Sequence, residues 1–89
     1  DTPDPYVKLF LPLSPNGKRQ TKVISNDPSP TWNEAFKFYV DPELKNVMKV
    51  TLMESDIIFD DVIQTVSLDL NELDQDVDHE RDLVFNKVP

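Results

Sequence analysis

The chain has no cysteine in its 89 residues. Disulfides and zinc–thiolate sites are therefore excluded as staples for a small core, and the absence is consistent with a reducing compartment. There is a single glycine, Gly17, so no glycine-rich loop exists to cradle a phosphate. There is a single histidine, His79. Without a cysteine or a second histidine, a Cys–His nucleophile pair and an HExxH zinc site are excluded. A Ser–His–Asp triad would have to use His79, and no Gly-x-Ser-x-Gly turn is present to display the serine. A surface position in a charged loop is the better reading of this histidine. Carboxylates are plentiful, but a glycosidase pair needs a deep sugar cleft that so short a chain can hardly build. No apolar run approaches the ~18 residues of a membrane span, and the first residues lack the pattern of a signal peptide. Basic residues are the minority. Nine Lys and Arg stand against 17 Asp and Glu, a formal charge of -8, which argues against nucleic acid as a partner. An acidic balance suits cation binding or plain solubility, and composition alone favours solubility.

What the sequence does have is the period of strands. Val7, Leu9, Leu11 and Leu13 alternate with Tyr6, Lys8, Phe10 and Pro12. Phe36, Phe38 and Val40 alternate with Lys37 and Tyr39, and Met48, Val50 and Leu52 alternate with Lys49 and Thr51. Val62, Gln64, Val66 and Leu68 repeat more weakly, Thr21 to Ile24 reads as a further strand, and Leu83-Val84-Phe85 is a short apolar run. A period of two places one face on a core and the other in water. Pro15-Asn16-Gly17 separates the first two strands, and Asn-Gly predicts a hairpin because both residues tolerate positive φ. The sole helical signal is Asp69-Leu-Asn-Glu72, a candidate capping box. The stretch from Asp74 to Asp82 is charged and aperiodic and reads as a solvated loop. No internal repeat, linker or second domain is visible, so the chain reads as one domain, residues 1–89. Short strands between turn signals predict an antiparallel β-sandwich.

Three acidic stretches flank the predicted strands. Asp1-Thr-Pro-Asp4-Pro precedes the first, Ser25-Asn26-Asp27-Pro28 follows the second, and Glu54-Ser-Asp56 follows the strand that ends at Met53. Calcium takes six to eight oxygen ligands, largely carboxylates and carbonyls. The EF-hand spacing is absent. In an antiparallel meander, however, loops two strands apart fall at one end of a sandwich, so these three would converge.

Asp4-Pro5-Tyr6-Val7, then Asn26-Asp27-x-x-Pro30-x-Trp32-Asn33-Glu34-x-Phe36, then a strand ending in acid-x-acid, resembles a C2 domain. More narrowly, the opening Asp1-Thr-Pro-Asp-Pro-Tyr-Val, the Lys45-Asn-Val-Met-Lys-Val-Thr-Leu-Met-Glu strand and the closing Phe85-Asn86-Lys87-Val88 resemble the C2 domain of the group IV cytosolic phospholipases A2. The resemblance covers essentially the whole chain. It implies an eight-stranded Greek-key sandwich, with a first strand and a further acid lying before Asp1. It also implies calcium ligands, two ions being expected: Asp1, Thr2 by its carbonyl and Asp4 in a first loop, Asn26 in a second, and Glu54, Ser55 by its carbonyl and Asp56 in a third. Asp4 would bridge the ions. Trp32 and Asn33 belong to the motif as packing and strand-entry residues. Glu54 stands where the family usually has Asp, and its extra methylene shifts or weakens the second ion's site.

Beside these acids lies Ile57-Ile58-Phe59, flanked again by Asp60 and Asp61. The combination implies a loop tip that enters a lipid interface once the acids are neutralised. Lys18, Arg19 and Lys22 form a basic candidate for lipid headgroups. The resulting expectation is a calcium-dependent domain that targets a cytosolic phospholipase A2 to membranes, phosphatidylcholine-rich ones in particular, when calcium rises. Ester hydrolysis would belong to a lipase domain elsewhere in the parent chain. The alternative is a calcium-independent protein-interaction module of the same fold.

Overall fold

β-Branched and long aliphatic residues at every second position build the strands. In a computed structural model that describes residues 4–25 and 29–72, they form β1 (Pro5–Phe10), β2 (Lys18–Gln20), β3 (Val47–Glu54) and β4 (Asp61–Asp69). The four make one antiparallel sheet in the order β2-β1-β3-β4. Val7, Leu11, Met48, Val50 and Leu52 are the buried cluster on its inner face. Leu9, Ile63, Val66, Leu68 and Leu70 extend that cluster, and Trp32, Phe38 and Val40 pack onto it from the segment between β2 and β3. Burial of each large aliphatic chain contributes ~1.5–3 kcal/mol, which is most of what holds so small a domain. No helix among the described residues is long and apolar enough to cross a membrane.

Four sequence expectations are corrected. The predicted strand over Phe36–Val40 has the right alternation, with residues 36, 38 and 40 half-buried and 37 and 39 exposed, but it joins no ladder among the described residues. Side chains take its carbonyls instead: Arg19 Nη2 donates to Lys37 O at 3.0 Å and Ser14 Oγ to Tyr39 O at 2.6 Å. The predicted strand over Thr21–Ile24 runs beside β1 without a full ladder. Thr21 N–H donates to Val7 O at 2.9 Å, but the Val7 N–H donates to the Thr21 hydroxyl at 2.9 Å, so a side chain replaces a main-chain acceptor. Val62 is 63% exposed where the alternation had placed it inward. Pairing runs from Leu52↔Gln64 directly to Met53↔Val62, so Ile63 is the extra residue of a β-bulge and turns inward in its place.

The turn is the fourth correction. Asn16 has φ of 53°, but Gly17 does not lie at positive φ. Gly17 is needed for closeness: a Cβ there would sit 2.1 Å from the Leu11 carbonyl oxygen. The loop is longer than a two-residue hairpin, spanning 11–17, and is closed by Leu11 N–H to Gly17 O at 2.8 Å. Leu13, expected inward, lies in it and is 57% exposed. Of the capping box, Asp69 accepts the Asn71 N–H at 3.0 Å ahead of a single 3-10 turn, Leu70–Glu72. The charged loop with His79 and the run Leu83–Phe85 lie outside the described residues.

At the end of the sheet where β3 begins, Asn46 is fully buried with its polar atoms satisfied. Its Nδ2 donates to Asp41 O at 2.7 Å and Leu44 O at 2.9 Å, and its N–H to Asn71 Oδ1 at 2.7 Å. This ties the loop before β3 to the turn after β4 and leaves the opposite end for the acidic loops.

Candidate functional site: the loop end of the sheet

Pro5 organises the loop end. It is the first residue of β1 and its side chain is fully buried. Lacking an N–H, it suits the start of a strand. Its carbonyl accepts the Ile24 N–H at 3.0 Å, and its register partner on β3 is Glu54. Asp4 precedes Pro5, Ser25 follows Ile24, and Ser55 follows Glu54. The described ends of the three acidic stretches, Asp4, Ser25 and Glu54–Ser55, therefore leave the sheet beside one residue. The first and third are bonded directly, Ser55 N–H to Asp4 O at 2.9 Å.

Of the expected ligands, Asp4, Glu54 and Ser55 are half-buried and Asp56 is exposed. Asp1, Thr2 and Asn26 lie outside the described residues. Among the described residues, no three Asp, Glu or His side chains are grouped to hold a metal ion. The oxygen donors at this end are of the hard type that suits calcium.

The apolar trio stands clear of the protein: Ile57 is 98% exposed, and Ile58 and Phe59 79% each. The chain holds it by its base. Asp56 Oδ1 accepts the Ile57 N–H at 2.6 Å, and Asp60 Oδ1 accepts the Asp56 N–H at 3.1 Å. Asp60 Oδ2 accepts the hydroxyl of Tyr6, a buried residue of β1. The Tyr6 hydrogen bond, the Asp56 N–H and the positive charge of Lys8 hold the Asp60 carboxyl below its ordinary value, against a small opposing effect of desolvation. Burial first, then the Asp60 hydrogen bond and charge, pushes the Tyr6 phenol up to about 12. Sequence reasoning did not assign Tyr6 or give Asp60 a role of its own. The available signal was the Asp56-x-x-x-Asp60 spacing that brackets the trio.

The basic candidates do not form one patch. Lys18 pairs with Phe10 on the outer face and Arg19 with Leu9 on the inner. The Lys18 amine lies 5.5 Å from the Phe10 ring centroid. Arg19 is engaged in the fold: its guanidinium lies 4.9 Å from the Phe38 ring centroid, and Nε donates to Asn16 O at 2.9 Å. Lys22 is exposed, and its N–H donates to Glu34 Oε2 at 2.9 Å.

Comparison with known proteins supports the antiparallel fold. The family model of the C2 domain matches residues 1–84. Cytosolic phospholipase A2 delta of Mus musculus is 37% identical over 71 residues, which is 79% of this chain and 9% of that protein. The structure of human GIVD cytosolic phospholipase A2 in complex with methyl gamma-linolenyl fluorophosphonate superposes with a TM-score of 0.76 at 35% identity, over 82% of this chain and 11% of that one. A second structure of the human protein, with the inhibitor and terbium chloride, gives 0.75 at 37% identity, over 80% and 10%. The chain thus spans about a tenth of the length of these relatives. It belongs to the C2 domain family and, within it, to the C2 domains of the cytosolic phospholipases A2.

Proposed function

We propose that this domain, residues 1–89, docks a phospholipase A2 on phospholipid membranes in response to calcium. The observation that supports the reading is that Asp4, the Ile24–Ser25 stretch and the end of β3 at Glu54–Ser55 adjoin around Pro5, with the exposed Ile57-Ile58-Phe59 tip just beyond β3. Asp1, Asp4, Glu54 and Asp56 would hold the metal by carboxylates, Asn26 by its amide oxygen, and Thr2 and Ser55 by carbonyls. Calcium, expected as two ions, supplies four positive charges against the four of these carboxylates. Uncompensated, the acids resist leaving water and keep the tip out of lipid. Balanced, they leave Ile57, Ile58 and Phe59 to enter the interface, where burial drives binding. One matched human structure includes terbium chloride, and terbium, like calcium, is a hard cation suited to oxygen donors.

With no basic residue from Glu54 to Asp61, the tip suits a zwitterionic surface such as phosphatidylcholine. Lys18 and Lys22 offer a secondary contact to lipid headgroups, while Arg19 serves mainly packing. The eight-stranded sandwich, a cytosolic location that shifts to intracellular membranes with rising calcium, and ester hydrolysis by a lipase domain of the same parent chain belong to the same reading.

A calcium-independent protein-interaction module is the second reading. It draws on Asp60, which holds the tip loop through the Tyr6 hydroxyl and the Asp56 N–H. Calcium titration of binding to phosphatidylcholine liposomes separates the two. Saturable, chelator-reversible binding supports the first; binding that ignores calcium overturns it.

A further inference from the structure

Three consecutive exposed apolar residues on a short loop should fold back onto the nearest apolar surface rather than stand in water. The outer-face side chains at the base of this loop, Tyr6 and Met53, register partners on β1 and β3, are already covered. Both are buried, yet neither belongs to the main core cluster. They lie on the outer face, the one opposite Val7 and Leu52, at the foot of the tip loop. Tyr6 presents a hydroxyl there, and that hydroxyl donates to Asp60. The other Asp60 oxygen takes the N–H of Asp56 at 3.1 Å. One carboxylate thus joins the strand face, the start of the loop and its end, and the residues between are the three that protrude.

We propose that Tyr6 and Asp60 are positioning residues for membrane docking: their bridge holds Ile57, Ile58 and Phe59 in the extruded form that enters lipid. The proposal rests on the lipid-docking reading above and adds two residues outside its ligand set. A tip already ordered by its base loses less backbone freedom on insertion, so pre-ordering appears as affinity for the membrane. It appears less in affinity for calcium in solution, because the Tyr6 hydroxyl bonds Asp60, which is outside the assigned ligand set.

The test uses Tyr6→Phe, Asp60→Ala and the double variant in the full-length protein. Three quantities are read: sedimentation with phosphatidylcholine vesicles at saturating calcium, calcium affinity without vesicles by calorimetry, and amide hydrogen exchange. Tyr6→Phe is expected to weaken vesicle binding about three- to tenfold, the scale of one ordinary net hydrogen bond, since the bridge acts only through ordering of the tip. Exchange should quicken over residues 55–60, with β1 and β3 protection unchanged and a fall in solution calcium affinity clearly smaller than the fall in vesicle binding. The double variant should lose less than the sum of the single losses, since both substitutions break one bridge. Additive losses, or a fall in solution calcium affinity as large as the fall in vesicle binding, overturn the proposal. Vesicle binding by the wild type with Tyr6→Phe unaffected overturns it alone. A wild type that ignores vesicles at saturating calcium overturns the docking reading and this proposal together.

Discussion

Truncating the loop tip is the sharpest probe of membrane docking. Ile58→Ala removes three carbons, worth ~0.8 kcal/mol each on full transfer from water, or ~2.4 kcal/mol. Ile58 is 79% exposed in the free domain, so ~1.9 kcal/mol of that remains to be gained on docking. Full transfer would make the variant about 25-fold weaker. A tip resting at headgroup level recovers about half of the transfer, which still leaves a loss of about fivefold. Phe59, equally exposed, should show a loss of at least this size on Phe59→Ala. The assay is liposome sedimentation at fixed calcium, with phosphatidylcholine and anionic vesicles compared at low and physiological salt. Binding should fall only slightly with salt, because screening acts on charge and not on burial. Calcium affinity in solution should stay unchanged, since neither side chain carries a donor oxygen. Indifference to both alanine variants, with a steep salt response and strict need for anionic lipid, would refute the reasoning and move docking to the Lys18–Lys22 region.

Asp4→Asn should nearly abolish calcium-dependent vesicle binding, as one carboxylate serves both ions; unchanged calcium affinity by calorimetry would defeat that role. Glu54→Asp should keep calcium binding and tighten it if the extra methylene only lengthens a ligand arm; loss of binding with an intact fold would show another coordination. Gly17→Ala should destabilise the domain by about 1–3 kcal/mol, because the new Cβ meets the Leu11 carbonyl and the Leu11–Gly17 hydrogen bond resists the shift that would relieve it; urea midpoints measure this. The Tyr6 phenol is raised on folding from 10.0 to about 12, so its contribution to stability is complete below pH 10 and is lost as pH rises toward 12. Tyr6→Phe should therefore flatten the alkaline fall in thermal stability relative to wild type, and an identical slope in the two proteins would contradict the assignment.

The sequence by itself determined which residues face the core in most strands, because side-chain alternation is a local property of extended backbone. Val7, Leu11, Met48, Val50 and Leu52 were legible in this way. It also placed acids beside strand ends and an apolar trio among them, and an antiparallel order was enough to bring their described ends at Asp4, Ser25 and Glu54 together. The second-loop and terminal donors Asn26, Asp1 and Thr2 were read through family resemblance and lie outside the described residues. What only the tertiary structure decided was where hydrogen-bonding groups found partners far away in the chain. Arg19 and Ser14 took the carbonyls of Lys37 and Tyr39, so a correctly alternating segment joined no ladder among the described residues. Ile63 was inserted as a bulge against β3, so the phase of β4 reversed and Val62 turned to water. Tyr6, fifty-four positions from Asp60, closed the base of the tip. Alternation can be read within a few residues, whereas a donor's acceptor is chosen by whatever folding brings within about 3 Å of it, a choice that no local pattern records.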